Sequence, residues 1–323
     1  MTEIIGLDLG FGNVKGKNLF QEIMFPSVVG PSRNLIESTV QADTEPLNRI
    51  IDNKRSLFIG DLALRQSATK MFSLKENKAG HESTKPLLEV ALGLLAKGRN
   101  VNVVTGLPVT FYFQQKEELS KVFKRDHDIN IQVGGQWIER TISVDEVKLV
   151  PQPLGSAIDF LLDREGNIKE DMKKYAKGRI GVLDIGFYTN DLLVLDGLEV
   201  AQDYSRSLRS GMSVAYRAMN DAGIDVPIYD LEKMVRRGQY RSASEQAFQA
   251  LAQQIQGEVE TYWPQLDLII ITGGGGHELF RYLKLPGESR ISLNPSLANV
   301  KGYYKLGRRA WGRGNNGQLS VKR

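Results

Sequence analysis

Cysteine is absent from all 323 residues, which excludes disulfide frameworks, thiol catalysis and cysteine-based metal sites and fits a reducing cytosol. Histidine is nearly as scarce. His81, His127 and His277 lie too far apart for ligand spacing, so zinc and serine-hydrolase chemistry have no candidates; each reads as a surface or locally bonded residue. Long apolar runs are missing as well. The best, residues 87–96, is interrupted by Glu89 and falls well short of the ~20 residues that span a bilayer. The N-terminus carries Asp8 on a strand-like run and lacks the basic start and apolar core of a secretory signal. Neither sign of charge dominates: 42 basic against 38 acidic residues give +4, an excess that reads chiefly as solubility. There is no basic, aromatic-studded RNA motif. Two phosphate fingerprints are also missing. A Gly-x-Gly-x-x-Gly would need glycine where Lys15 stands, and Gly-x-x-x-x-Gly-Lys-Ser/Thr occurs nowhere.

What is present is the make-up of a globular chain long enough for two domains, with 41% hydrophobic residues to form a core. The sequence predicts β-strands near 4–9, 57–60, 101–107, 129–133, 146–150, 180–185, 192–195 and 268–272. Helical patterns fall near 85–97, 114–125, 155–162, 212–222 and 244–262. This alternation is that of an α/β fold. A polar turn at 163–167 follows the helix at 155–162 and marks a hinge between two halves. Arg308, Arg309, Arg313, Lys322 and Arg323 make the C-terminal end basic, and residues after Gly314 read as a frayed, solvated tail.

One device occurs twice: an apolar strand that ends in Asp-x-Gly and runs into a short polar turn. The first copy leads through Asp8 to Gly10, Phe11, Gly12, Asn13 and Lys15. The second leads through Asp184 to Gly186, Phe187, Tyr188, Thr189 and Asn190. Glycine lets backbone approach a ligand closely, and the amide, hydroxyl and ammonium groups nearby suit a phosphate. Two strand-end aspartates facing one cleft repel unless a cation offsets them. Mg²⁺ meets that need while keeping most of its water, so Asp8 and Asp184 are expected to hold it largely through water. A third element, an apolar strand followed by Gly273, Gly274 and Gly275, would let a flat base or ribose lie on backbone. Gln152, between Pro151 and Pro153, has an amide able to orient a water for in-line attack on a phosphoryl group.

Taken in order, these four elements resemble the nucleotide site shared by the actin, sugar-kinase and heat-shock-chaperone superfamily. Within it, Gly12-Asn13-Val14-Lys15, Phe58-Ile-Gly-Asp-Leu, Thr105-Gly-Leu-Pro and the closing Asn299-Val-Lys-Gly-Tyr303 are most similar to bacterial actin-like plasmid-segregation proteins of the ParM type. The resemblance implies a two-lobed actin-like α/β fold (ribonuclease-H-like) with a nucleotide cleft between lobes. Lobe I would span 1–163 and lobe II 164–302, Val300 to Tyr303 would connect them, and a helix at about 303–316 would return to lobe I. It implies a slow Mg-dependent ATPase or GTPase coupled to filament formation, with Asp8, Asp184 and Gln152 in the catalytic centre. Ser210 and Gly211 would continue the cleft, and Glu232 and Lys233 would lie by the base. The implied partners are further copies of the chain and a DNA-binding adaptor on plasmid centromere DNA, in the cytoplasm and without a membrane anchor. Phe187-Tyr188 departs from the small residues usual in the second turn. Two alternatives stay open: a small-molecule kinase using the same cleft, and a nucleotide-binding regulatory or scaffold protein.

Overall fold

The computed structural model describes residues 2–35, 49–52, 55–73, 77, 79–133 and 136–312. Arg313, Lys322, Arg323 and the rest of the expected tail lie outside the described residues.

The first lobe is built on one sheet of β1 (Glu3–Leu9), β2 (Asn13–Lys17), β3 (Glu22–Pro26), β4 (Val28–Pro31), β5 (Arg49–Asp52), β6 (Arg55–Ile59), β7 (Met71–Phe72), β8 (Asn100–Leu107), β9 (Asp126–Val133) and β10 (Gln136–Pro151). Its spatial order is 3-2-1-8-10-9-5-6-4-7. Helices α1 (Asp61–Gln66), α2 (Thr84–Leu95), α3 (Tyr112–Phe123) and α4 (Gln152–Leu161) are interspersed. The second lobe carries β11 (Arg179–Ile185), β12 (Asn190–Asp196), β13 (Glu199–Val200), β14 (Arg206–Leu208), β15 (Leu268–Thr272) and β16 (Ser289–Ile291). Its helices are α5 (Ser213–Asp221), α6 (Ile228–Arg236), α7 (Arg241–Tyr262) and α8 (Gly276–Phe280), and α9 (Ala298–Trp311) closes the described chain.

Both lobes repeat one unit. β1 turns through the first Asp-x-Gly into antiparallel β2 and has β8 as its parallel neighbour; β11 turns through the second into antiparallel β12 and has β15 as its parallel neighbour. These inner strands are buried on both faces, which explains their unbroken apolar runs. Their carboxyl ends are where open α/β sheets present loops to ligands. The paired turns therefore come from equivalent corners of two sheets.

Helices α4 and α9 pack between the sheets, touching strands of both lobes through α4 and β1 and β8 through α9. Gly155 and Gly302 meet at their crossing: a side chain on Gly302 would overlap the Gly155 carbonyl. Bare Cα atoms let these backbones touch, and Tyr303 Oη donates to the Gln152 carbonyl at 3.0 Å.

Gln152 opens α4, with Pro153 just inside the helix start, where its missing N–H costs nothing. Val300 and Tyr303 lie in α9, which begins at Ala298, a turn before the helix expected at about 303. Of the two readings given for His127, surface or locally bonded, the second holds: it is buried, and Nε2–H donates to the Phe123 carbonyl at 2.9 Å. Among the described residues no helix is long and apolar enough to cross a membrane.

Candidate functional site

The two Asp-x-Gly turns face each other across one cleft of about 250 Å³. The first turn contributes Asp8, Gly10, Phe11, Gly12, Asn13 and Lys15, and the second Asp184, Gly186, Phe187, Tyr188 and Thr189. Gln152 comes from the start of α4, Glu232 and Lys233 from α6, and Gly274 and Gly275 from the loop after β15. Each turn is braced from its own lobe. Ser27 donates through its N–H to the Gly12 carbonyl (2.9 Å) and through Oγ to that of Gly10 (2.7 Å). Met212 and Ser213, at the start of α5, donate to the carbonyls of Gly186 (3.0 Å) and Phe187 (2.8 Å). The turns also touch each other: a Cβ on Gly12 would come within 2.8 Å of the Phe187 Cβ.

The floor of the cleft is acidic and buried. Gln152 Nε2 donates to Asp8 Oδ1 at 2.7 Å, and the Lys15 ammonium lies 3.7 Å from Asp8 Oδ2. Asp8 Oδ2 itself is buried without a hydrogen bond. Asn299, on α9, donates to Asp184 Oδ2 at 2.7 Å, while Ser156 Oγ and N–H donate to Asn299 Oδ1 at 2.6 and 3.1 Å. Burial pushes the Asp184 carboxyl above the usual carboxylate range; the Lys15 charge and the Asn299 bond oppose this, and the Asp8 charge adds to it. Asp191 is also pushed up, to about 7, by burial and then by the charge of Asp184. It joins the lobes: Asp191 Oδ1 accepts from Ser207 Oγ and from the Val109 N–H of the first lobe (3.3 Å). Ser207 and Thr110 add two reciprocal bonds across the same seam, at 2.9 and 3.2 Å.

The mouth is closed from both lobes. Phe187 stacks on Tyr229 (centroids 4.9 Å apart, planes at 24°), and Tyr229 stacks in turn on Phe72 of the first lobe (4.7 Å, 13°). Phe11 packs on Tyr188 at 5.4 Å. The bulk of Phe187-Tyr188 is thus used to bridge the lobes. Lys233 reaches across to Asp61 Oδ1 at 2.6 Å, so its ammonium is engaged by a carboxylate at the rim. Glu232 is held by Arg236 at 3.2 Å, and burial raises its carboxyl despite that guanidinium.

Four residues expected at the ligand do not line the cleft. Asn190 opens β12, and its side chain turns into the second lobe, where Nδ2 donates to the Ser210 carbonyl at 2.6 Å. Ser210 Oγ donates to Glu258 at 2.8 Å. Gly211 packs its bare Cα on the carbonyls of Gly186 and Phe187. Gly273, with φ +88°, lies against Asp184 and Ile185, beneath the surface that Gly274 and Gly275 present. Sequence reasoning in turn missed Asp191, Asn299, Tyr229 and Arg236, which do line it. The Glu232–Arg236 spacing of four on one helix was a usable signal; for Tyr229 there was none.

Comparison with known proteins agrees with this fold. The family model for the N-terminal domain of actin-like proteins matches residues 6–155, and that for the C-terminal domain of the archaeal MreB-like actin homologue matches 182–284. No curated protein matches the chain by sequence. Among solved structures, a 15-stranded ParM filament from Clostridium botulinum is 26% identical with a TM-score of 0.80, over 95% of this chain and 99% of that one. A non-polymerisable quadruple mutant of pCBH ParM is 26% identical with a TM-score of 0.78, over 96% and 100%. An archaeal actin homologue, Ta0583, in complex with ADP has the same fold at 18% identity and a TM-score of 0.73, over 95% and 100%. Matched in both halves by actin-family models and along nearly its whole length by ParM structures, the chain belongs to the actin-like proteins of the ParM type.

Proposed function

We propose that the chain is a cytoplasmic, Mg-dependent ATPase or GTPase that assembles into filaments and segregates plasmid DNA through a separate DNA-binding adaptor. The observation that carries the nucleotide part is the convergence of Asp8, Asp184 and Gln152 on one cleft floor, with Asp8 Oδ2 buried and without a hydrogen bond. An orphaned carboxylate oxygen in a buried site fits a cation. Among the described residues no cluster of three or more acidic or histidine side chains could cage a metal, so such an ion would share its shell with water and phosphate oxygens. When bound, Mg²⁺ would neutralise charge on the phosphates and on Asp8 and Asp184.

The chain's own residues supply the rest. Lys15 and the two glycine turns bind phosphate, and Gly274 and Gly275 leave room for a base or ribose beside Glu232. Gln152 has its NH₂ fixed by Asp8, which leaves the amide oxygen to accept from a water and aim it at the γ-phosphoryl group. Such positioning without strong base chemistry makes hydrolysis slow. It then serves as a timer, because a nucleotide state that favours the closed, assembling form shifts the population toward it. The lobes would divide at about 163/164, with the C-terminal helix returning to lobe I.

Filament formation is supported by the ParM filament among the structural relatives. Light scattering with ATP, GTP and their non-hydrolysable analogues, alongside phosphate release, tests the reading. Nucleotide-dependent assembly with slow release supports it. A persistent monomer that transfers phosphate to a small molecule would establish the kinase alternative in its place.

A further inference from the structure

Two surface features far from the cleft have matching chemistry. The tip of the β2–β3 hairpin presents Leu19 and Phe20, 63% and 70% exposed. This tip is rigidly built. Asn18 is fully buried; its Nδ2 donates to the Leu95 carbonyl (2.6 Å) and Glu3 Oε1 (3.0 Å), and its Oδ1 accepts from the N–H groups of Phe20 and Gln21, both at 2.8 Å. A fully satisfied buried amide thus fixes two apolar side chains in water. They border a groove of about 870 Å³ along the amino ends of β1 and β8, rimmed by Lys97, Arg99 and Arg308. None of these three cations pairs with a carboxylate among the described residues. Glu3, the acid in the groove, has its second oxygen taken by the Lys97 N–H at 2.7 Å.

The second feature lies on the other lobe, at the end of β11 and β12 away from the cleft. Gly197 and Leu198 form a two-residue hairpin turn with φ of 55° and 71°, flanked by the paired Asp196 and Glu199. Both central φ values are positive, the conformation for which Asn-Gly is preferred, and a leucine there is strained. The strained Leu198 is 38% exposed, and Tyr204, six residues further along, is 37% exposed. The carboxylates of Glu199 and Asp203 form no ion pair among the described residues, although Arg206 donates to the Asp203 backbone carbonyl at 3.0 Å, while Asp196 holds Arg179 at 2.8 Å. An acidic, apolar knob on one lobe answers a basic, apolar groove on the other.

We propose that the Leu198–Tyr204 knob of one copy docks into the Leu19–Phe20 groove of the next, with Glu199 and Asp203 facing Arg99 and Arg308. This rests on the self-assembly reading and names its contact. Because the two patches differ, the contact is head-to-tail and propagates into an open polymer unless the rotation closes it. Apolar anchors ringed by complementary charge are the composition of a specific interface, with charge fixing register more than affinity.

A charge swap tests it, read by pelleting with Mg-nucleotide and by nucleotide binding. Arg99→Glu and Glu199→Arg should each raise the critical concentration about tenfold, and the double variant should restore assembly. Leu198→Gly relieves the strained turn, so its Tm should hold or rise while assembly weakens; a merely structural leucine would move both the same way. Nucleotide binding should not change in any of the four. If the wild type fails to pellet, the self-assembly reading falls, and this contact with it. If the wild type pellets and the single variants pellet equally well, or the double swap fails to restore assembly, the contact is wrong and the reading stands.

Discussion

Replacing Asp191 by asparagine should stabilise the nucleotide-free protein at neutral and alkaline pH and leave it unchanged in acid. The carboxyl is 3% exposed, and burial followed by the charge of Asp184 lifts it from 3.8 to about 7, against hydrogen bonds from Ser207, Val109 and Thr189 that pull it back. Ionising it in the fold therefore costs about 4 kcal/mol more than in the unfolded chain. The sign follows from a raised folded value: its contribution to stability is whole below about pH 4 and is lost as pH climbs through about 7. Asparagine keeps the oxygen that accepts from Ser207 Oγ and the Val109 N–H, and it removes the charge. The gain over wild type should grow from near zero at about pH 4 to as much as ~4 kcal/mol at about pH 8, several degrees in Tm for a chain of this size. Thermal melts in chelator across that range measure it. A difference that stays constant with pH, or a loss of stability at pH 8, would refute the electrostatic account and assign Asp191 only its hydrogen bonds across the lobes.

Gln152→Ala should slow phosphate release about 100-fold while assembly persists; unchanged turnover in a single-turnover assay removes Gln152 from its role. Gly302→Ala would set a methyl group against the Gly155 carbonyl at the α4–α9 crossing, and should cost about 3 kcal/mol in a denaturant melt. A wild-type midpoint would show that the helices can part without cost. Phe72→Ala removes one ring of the stack over the cleft mouth, worth about 1 kcal/mol, so release of a fluorescent nucleotide should quicken about fivefold in stopped flow. An unchanged rate would mean the stack does not hold the mouth closed.

The strands that carry the site were legible because burial on both faces leaves an uninterrupted apolar run: the run that includes Leu183, Asp184 and Ile185 shows both strand and turn. The elements that escaped are short and half-exposed. β2 reads Asn-Val-Lys-Gly-Lys and gains its place by pairing with β1, a long-range partner that no local pattern reports. The start of α9 was hidden by Gly302, a poor helix former whose value lies in contact with Gly155. In the site, spacing alone assigned Asn190 to the ligand, but strand pairing with Ile185 turns its side chain into the lobe. Asp191, next along the chain, reaches the cleft. Asn299 meets Asp184 only because α9 packs between the sheets, a contact across 115 positions.

The central claim is that the two Asp-x-Gly turns close on one Mg-nucleotide. Titration calorimetry of ATP and GTP into wild type, Asp8→Asn and Asp184→Asn, each with Mg²⁺ and with chelator, tests it most directly. The account predicts one site per chain, binding that weakens at least about tenfold without Mg²⁺, and a magnesium effect that shrinks in both variants. Equal affinity with and without Mg²⁺, or variants that keep the full magnesium effect, would contradict it.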